Sequence, residues 1–276
     1  MAQQERGADA PVVVVTGAGS GIGAALARAS SARGCRVVVA DVDSSAAHAV
    51  AAEIGGEAFV CDVSDASQVE ALARFTLDRF GRVDDLYNNA GVGSGGPIDR
   101  MTDDDWRWML GVNLHGVIHG ISAFLPLLRR NVAGGRIVNT ASMSAVSPLP
   151  GLGAYAAAKS AVLALSETLS AELAQADEPI SVSVVLAGPV RTNINTSARH
   201  RSADGVHGLV DGELSGPIVD HMIDPDEAAR RILAGVDAGL LFIATHPALA
   251  FRPRERFDAI LRAFSPVAAD PAASTH

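Results

Sequence analysis

"PVVVVTGAGSGIGAALARASSARGCRVVVADVD", residues 11–43, decides the fold. Four consecutive valines bounded by a glycine turn read as a short strand buried on both faces. "TGAGSGIG", 16–23, follows, and then the helical run "AALARASSARG". A second valine-rich strand ends in acidic residues. Strand, glycine turn, helix and strand in this order make a βαβ unit. Glycine lets the backbone approach a pyrophosphate closely, and the helix N-terminus favours its negative charge. The strand–turn–helix context points to a dinucleotide fingerprint; an ordinary tight turn is the plainer alternative. Asp41 ends the second strand, 18 residues beyond Gly23. A carboxylate there accepts hydrogen bonds from the adenosine ribose hydroxyls and repels a 2′-phosphate. No Arg or Lys directly flanks it, so NAD is expected rather than NADP. A surface Asp at a strand end is the bland reading.

The alternation continues along the chain. A helix is expected over 44–53, a strand at "EAFVCD", a helix over 65–80 and a strand at "VDDLYNNAG". A long helical stretch, 102–130, precedes the strand "GRIVNTAS"; a helix over about 154–175 precedes "ISVSVVLAG". A seventh strand, "GLLFIAT" at 239–245, extends one edge. Near-continuous apolar strands alternating with helices predict an α/β, Rossmann-like, doubly wound parallel sheet with helices on both faces. One catalytic domain is expected over 1–276, with its core at about 11–245. Residues 193–222, poorly periodic and rich in Gly, His, Ser and Asp, read as a lid. Residues 251–276 read as a C-terminal helix and a loose tail.

The net charge of −9 disfavours a nucleic-acid partner. Cys35 and Cys61 form no CxxC pattern, and the polar start "MAQQERGADA" does not resemble a signal peptide. No apolar run reaches about 18 residues, so no membrane span is expected and a cytoplasmic protein is. The aromatic fraction is 4%, with only two tyrosines.

One of those two, Tyr155, stands in "NTASMSAVSPLPGLGAYAAAKSA", 139–161. Ser142 precedes it by 13 residues and Lys159 follows by four. Positions i and i+4 share a helix face, so phenol and ammonium can point into one cleft. A phenol has a pKa near ~10, and bringing it to neutrality needs about 4 kcal/mol at ~1.36 kcal/mol per unit. A nearby cation favours phenolate. The tuned group would exchange a proton with an alcohol or carbonyl oxygen, which Ser142 could hold.

These motifs together resemble the short-chain dehydrogenase/reductase family, in its shorter single-domain form, over about residues 11–245. TGxxxGxG runs from Thr16 to Gly23, NNAG from Asn88 to Gly91, and Asn113 lies in "VNLHG". Ser142, Tyr155 and Lys159 complete the set. The resemblance implies that Tyr155 is the general acid/base and that Ser142 positions the substrate oxygen. It implies that Lys159 binds the nicotinamide ribose and depresses the Tyr155 pKa, and that Asn113 orders a relay water. Cofactor contacts are implied for Gly17, Ser20, Gly21, Ile22 and Gly23. They are also implied for Asp41, for Asp62 and Val63 at the adenine, and for Asn89, Ala90 and Gly91. Pro189, Val190 and Thr192 would meet the nicotinamide end. One departure is Ala187-Gly188, where the family often has Pro-Gly. A homotetramer is implied, with a dimer as the simpler assembly.

His115 and His119 have i, i+4 spacing, but no third ligand stands near, so no metal is expected. Trp106 and Trp108 read as helix anchors or interface residues, and Ala156–Ala158 as allowing close helix packing. The amphipathic "FRPRERFDAILRAF" reads as a helix packed on its own or a neighbouring subunit. Ser144, Leu149, Leu152 and Val190 are the expected substrate walls, with Met143, Ala145 and Pro148 beside them. Small and apolar, they suit a hydrophobic or cyclic secondary alcohol or ketone. No charge cluster demands an anionic substrate, though Arg199, His200 and Arg201 could recruit a polar group. The leading expectation is an NAD-dependent alcohol dehydrogenase or carbonyl reductase. An NADP-dependent ketoreductase, a non-catalytic dinucleotide sensor, and a lyase or epimerase are the competing readings.

Overall fold

The computed structural model describes residues 10–201, 208–212 and 219–264. The polar N-terminal stretch 1–9, lid residues 202–207 and 213–218, and the tail from 265 lie outside them. Among the described residues, seven strands form one sheet: β1 (Val12–Thr16), β2 (Arg36–Asp41), β3 (Glu57–Val60), β4 (Asp85–Asn88), β5 (Gly135–Thr140), β6 (Ile180–Leu186) and β7 (Phe242–Ala244). All pairings are parallel, in the order β3-β2-β1-β4-β5-β6-β7. Successive strands step outward from β1 to β3, and the chain then crosses back to β4. The winding therefore reverses beside β1, and ligands bind at the carboxyl ends of strands at such a point.

Helices α1 (Gly21–Ala32), α2 (Ser44–Ile54), α3 (Ala66–Phe80), α4 (Asp103–Leu110), α5 (Gly116–Leu128), α6 (Gly153–Gln175), α7 (Pro225–Asp237) and α8 (Phe251–Arg262) surround the sheet. The valines of β1 explain why both faces need cover. Val13 and Val15 join a core with Leu26 of α1 and Ile232 of α7. Val14 joins the opposite core with Leu72 of α3, Phe124 of α5 and Leu169 of α6. Each such side chain contributes roughly 1.5–3 kcal/mol by leaving water, and side-chain direction alternates along a strand. Local signals set the helix ends. Asp43 accepts from the Ala46 N–H at 3.0 Å to cap α2, and Asp65 accepts from the Ser67 N–H at 2.9 Å to cap α3. Gly55 and Gly81 end these helices in the left-handed conformation.

The long helix expected over 102–130 is α4 and α5 joined by a π-helical turn, Gly111–His115. By length and composition, Asp103–Leu128 would suffice to cross a membrane, contrary to the expectation that no run is long enough. Here Val117, Phe124 and Leu128 lie buried among core residues of the sheet. The seventh strand is shorter than expected, because Gly239 (φ 67°) and Leu240 still belong to the turn closing α7. Helix α8 has no buried residue, and Phe251, Phe257, Ile260 and Leu261 are exposed. It is tied to the body through Arg256, which donates to the Ala145 carbonyl at 2.7 Å, and Arg252, which reaches Ser147 Oγ at 3.3 Å.

Candidate active site

The glycine turn is shaped by what lies behind it. Gly17 has φ +64°, and a Cβ there would come within 2.7 Å of Ala90 Cα. Gly21, φ +53°, opens α1 against the Thr192 side chain, which a Cβ would meet at 2.8 Å. Thr16 fastens this turn to the loop after β4. Its Oγ1 accepts from the Asn89 and Ala90 N–H groups at 3.0 and 3.1 Å, while Asn89 Nδ2 donates to the Thr16 carbonyl at 3.0 Å. Asp41 holds the turn from the other side, accepting from the Gly19 N–H at 2.8 Å and the Asp43 N–H at 2.9 Å.

These elements open onto a cavity of about 310 Å³. Gly17, Ser20, Gly21, Ile22, Asp41, Asp62, Val63, Asn89, Ala90 and Gly91 line it. So do Ser142, Ser144, Leu149, Leu152, Tyr155, Lys159, Pro189, Val190 and Thr192. Of the sequence-derived site residues, Gly23 and Asn113 stand outside its wall, and so do Ala145 and Pro148 from the expected substrate side. Gly23 is packed inside α1, where a Cβ would lie 2.2 Å from the Gly17 carbonyl oxygen, so its part is close packing. Asn113 is fully buried in the π turn. Its Nδ2 donates to the carbonyls of Val92 at 2.9 Å and Met109 at 3.1 Å, and its Oδ1 accepts from the Val92 N–H at 3.2 Å. Through these bonds the side chain holds the loop after β4.

At the far end, β5 delivers Ser142 and α6 delivers Tyr155 and Lys159. Ala154, Ala156 and Ala158 of α6 are buried, which brings this helix close to its neighbours. Ser142 Oγ accepts from the Ser144 N–H at 3.0 Å and donates to the Ala187 carbonyl at 3.3 Å. Lys159 Nζ donates to the Thr140 carbonyl at 2.8 Å and lies 5.8 Å from the centre of the Tyr155 ring. Burial governs both titrations. It raises the Tyr155 phenol above its ordinary value despite a hydrogen bond with Ser142. It lowers the Lys159 ammonium to about 7. The chain by itself therefore does not depress the Tyr155 pKa as expected from its neighbouring lysine: desolvation disfavours the charged form of each group. Burial also pushes the Cys61 thiol, on the same cavity, up to about 12, so it stays protonated at neutral pH.

The walls contain residues the sequence reading assigned elsewhere. Trp108 lines the cavity with the Arg201 guanidinium 5.2 Å from its ring centre, rather than serving only as a helix anchor. Its spacing of four from Val112, another wall residue, was visible in the sequence. His119 binds the Val63 carbonyl at 2.9 Å, so it supports the cavity wall. Leu249, Arg199 and Arg252 also reach the cavity. Behind the Ala187-Gly188 departure, Thr245 Oγ1 accepts from the Gly188 N–H at 2.9 Å, and the buried His246 ring leaves no room for a Cβ at Gly188. Arg201 pairs with the buried Asp105, which also accepts from the Gly208 N–H at 2.8 Å, so part of the lid is pinned to α4. The side chain of His200 lies outside what the structure describes.

A donor-lined glycine turn at a helix N-terminus, a carboxylate at one end and a buried lysine at the other fit a nicotinamide dinucleotide. Comparison with known proteins agrees. The short chain dehydrogenase family model matches residues 11–203. A C alpha-dehydrogenase of Sphingobium sp. is 33% identical over 94% of this chain and 88% of that protein. A 3-oxoacyl-[acyl-carrier-protein] reductase of Synechocystis sp. is 34% identical over 90% of this chain and 95% of that one. The crystal structure of a short chain dehydrogenase/reductase from Burkholderia phymatum in complex with NAD superposes with a TM-score of 0.83. It is 34% identical, covering 95% of this chain and 98% of that one. With its parallel sheet, its glycine turn and these relatives, the chain belongs to the short-chain dehydrogenase/reductase family of oxidoreductases, which bind a nicotinamide dinucleotide.

Proposed function

We propose that the protein is an NAD(H)-dependent oxidoreductase that interconverts a hydrophobic secondary alcohol and its ketone. One observation carries this reading: Ser142, Tyr155 and Lys159 line the same cavity as the glycine turn and Asp41. The nicotinamide ring, when bound, supplies or accepts the hydride. Everything else falls to the chain. Gly17, Ser20, Gly21 and Ile22 hold the pyrophosphate against the N-terminus of α1. Asp41 accepts from the ribose hydroxyls, since each of its oxygens has a lone pair beyond those taken by Gly19 and Asp43. Asp62 and Val63 would border the adenine, Lys159 would hold the nicotinamide ribose, and Pro189 and Val190 would flank the nicotinamide, whose carboxamide Thr192 would reach.

In ketone reduction Ser142 donates a hydrogen bond to the carbonyl oxygen, and the Tyr155 phenol gives that oxygen its proton. A raised phenol pKa suits this acid role, because the group is protonated at neutral pH. In alcohol oxidation Tyr155 takes the proton, and a bound cationic nicotinamide would lower the cost of its phenolate form. Ser144, Leu149, Leu152 and Val190 exclude water around the substrate body. Tyr155→Phe should abolish hydride transfer while leaving NADH binding, read by its fluorescence, nearly unchanged. Normal turnover by that variant would overturn the mechanism; unchanged turnover would leave Tyr155 no acid/base role. We further propose a homotetramer, with a dimer as the simpler form, which light scattering would distinguish.

A further inference from the structure

The charges on the cavity wall are sorted. Its acids, Asp41 and Asp62, stand at the end assigned to adenosine. Its other formal charges are Lys159, Arg199 and Arg252. In a chain of net charge −9, most arginines on the surface find a carboxylate: Arg28 has Glu53, Arg33 has Asp237, Arg129 has Glu178 and Arg191 has Asp224. No carboxylate among the described residues pairs with Arg252 or Arg199. The Arg252 bond is made by Nε, to Ser147 Oγ at 3.3 Å. Arg199 spends Nη1 on the Thr196 carbonyl at 2.6 Å and on Thr196 Oγ1 at 2.8 Å.

Ser147 ends the turn that begins at Ser142. Within it, the Ala145 N–H donates to the Ser142 carbonyl at 2.9 Å, and the Ser147 N–H donates to the Met143 carbonyl at 2.8 Å. The turn thus links the serine at the reacting oxygen to the anchor of Arg252. Arg256 holds the same turn from α8 through the Ala145 carbonyl at 2.7 Å. A guanidinium so placed presents its terminal N–H groups as a fork that matches a carboxylate.

We propose that Arg252, assisted by Arg199 from the lid, binds a carboxylate on the substrate, so that the natural substrate is a hydroxy acid or keto acid with an apolar body. This rests on the dehydrogenase reading above and names its substrate class. The C-terminal helix α8 then takes part in substrate selection, although it lies beyond the dinucleotide-binding strands.

The test measures NADH-linked reduction of acetoacetate, levulinate and para-acetylbenzoate, each beside its methyl ester. For the spacer that fits, kcat/KM should favour the acid over the ester by roughly tenfold to a hundredfold, the range of a charge-assisted hydrogen bond. Arg252→Gln should raise KM for that acid with little change in kcat, the pattern of lost uniform binding. Arg252→Lys should restore part of the acid preference. Arg254→Gln, on an exposed part of α8, should leave the acid-to-ester ratio as it was. Equal use of acids and esters by the wild-type protein, or a ratio unmoved by Arg252→Gln, overturns the carboxylate assignment while leaving the dehydrogenase reading intact. Absence of hydride transfer with every acid and ester, by protein shown to bind NADH, overturns both.

Discussion

Lys159→Met should make the cofactor-free protein more stable at neutral pH. Lys159 is 2% exposed, and burial brings its ammonium from 10.5 to about 7. In the unfolded chain the amine holds its proton until about pH 10.4, so between these values the unfolded state binds more protons than the native one. Stability attributable to this residue therefore rises with pH through that window, and below it the whole cost of burial is present. At about pH 7 that cost is about 4 kcal/mol, and at about pH 10 it falls to about 1 kcal/mol. Losing the bond to the Thr140 carbonyl offsets about 1–3 kcal/mol of the gain if that oxygen finds no other donor. The offset does not depend on pH, so the change across the window isolates the amine. Denaturant unfolding of both proteins should show the advantage of Lys159→Met shrinking by about 3 kcal/mol from neutral to alkaline pH. A pH-independent difference would show that the ammonium is not strained by burial. The variant should also lose hydride transfer, which would mark Lys159 as a residue whose retention costs stability.

Other outcomes follow from the same geometry. Asp41→Ala should narrow the preference for NAD over NADP, measured as a ratio of kcat/KM values; an unchanged ratio would remove Asp41 from the ribose. It should also weaken binding of both cofactors, because the Gly19 N–H loses its acceptor. Alcohol oxidation should gain rate on the alkaline side and ketone reduction should lose it there, since burial raises the Tyr155 phenol and oxidation needs its ionised form. Matching pH profiles in the two directions would argue against Tyr155 as the titrating group. Asp105→Asn should destabilise the fold by about 2–4 kcal/mol, because the buried carboxylate pairs with Arg201 and caps α4 through Thr102. Thermal unfolding would read this, and faster proteolysis near Arg201 would show that the lid had lost its tie.

Much of this protein was legible in its residues. Valine runs, glycine turns and helix caps act within a few positions of the chain, so the seven strands and the helices between them could be placed from local pattern alone. The TGxxxGxG turn, Asp41 and the Tyr155–Lys159 pair were visible for the same reason: spacing sets which side chains share a turn or a helix face. Other assignments required neighbours distant in sequence. Gly23 looks like its fellow glycines until Gly17 and Asn89 are seen packed against it. Asn113 becomes a brace for the loop after β4 only where the π turn brings it to Val92. Trp108 is seen as a cavity wall only when the folded chain brings it beside the glycine turn's cavity, with Arg201 of the lid against its ring.

By itself the sequence determined the βαβ alternation, the dinucleotide fingerprint and the chemical groups available for proton transfer, because these depend on periodicity and short-range spacing. Tertiary structure alone decided which charges those groups carry and what else enters the cavity. The Tyr155 and Lys159 titrations move with desolvation, and desolvation is a property of everything packed around them. Arg252 lies more than ninety residues beyond Lys159, and only the docking of α8 on the Ser142–Ser147 turn brings both to one cavity.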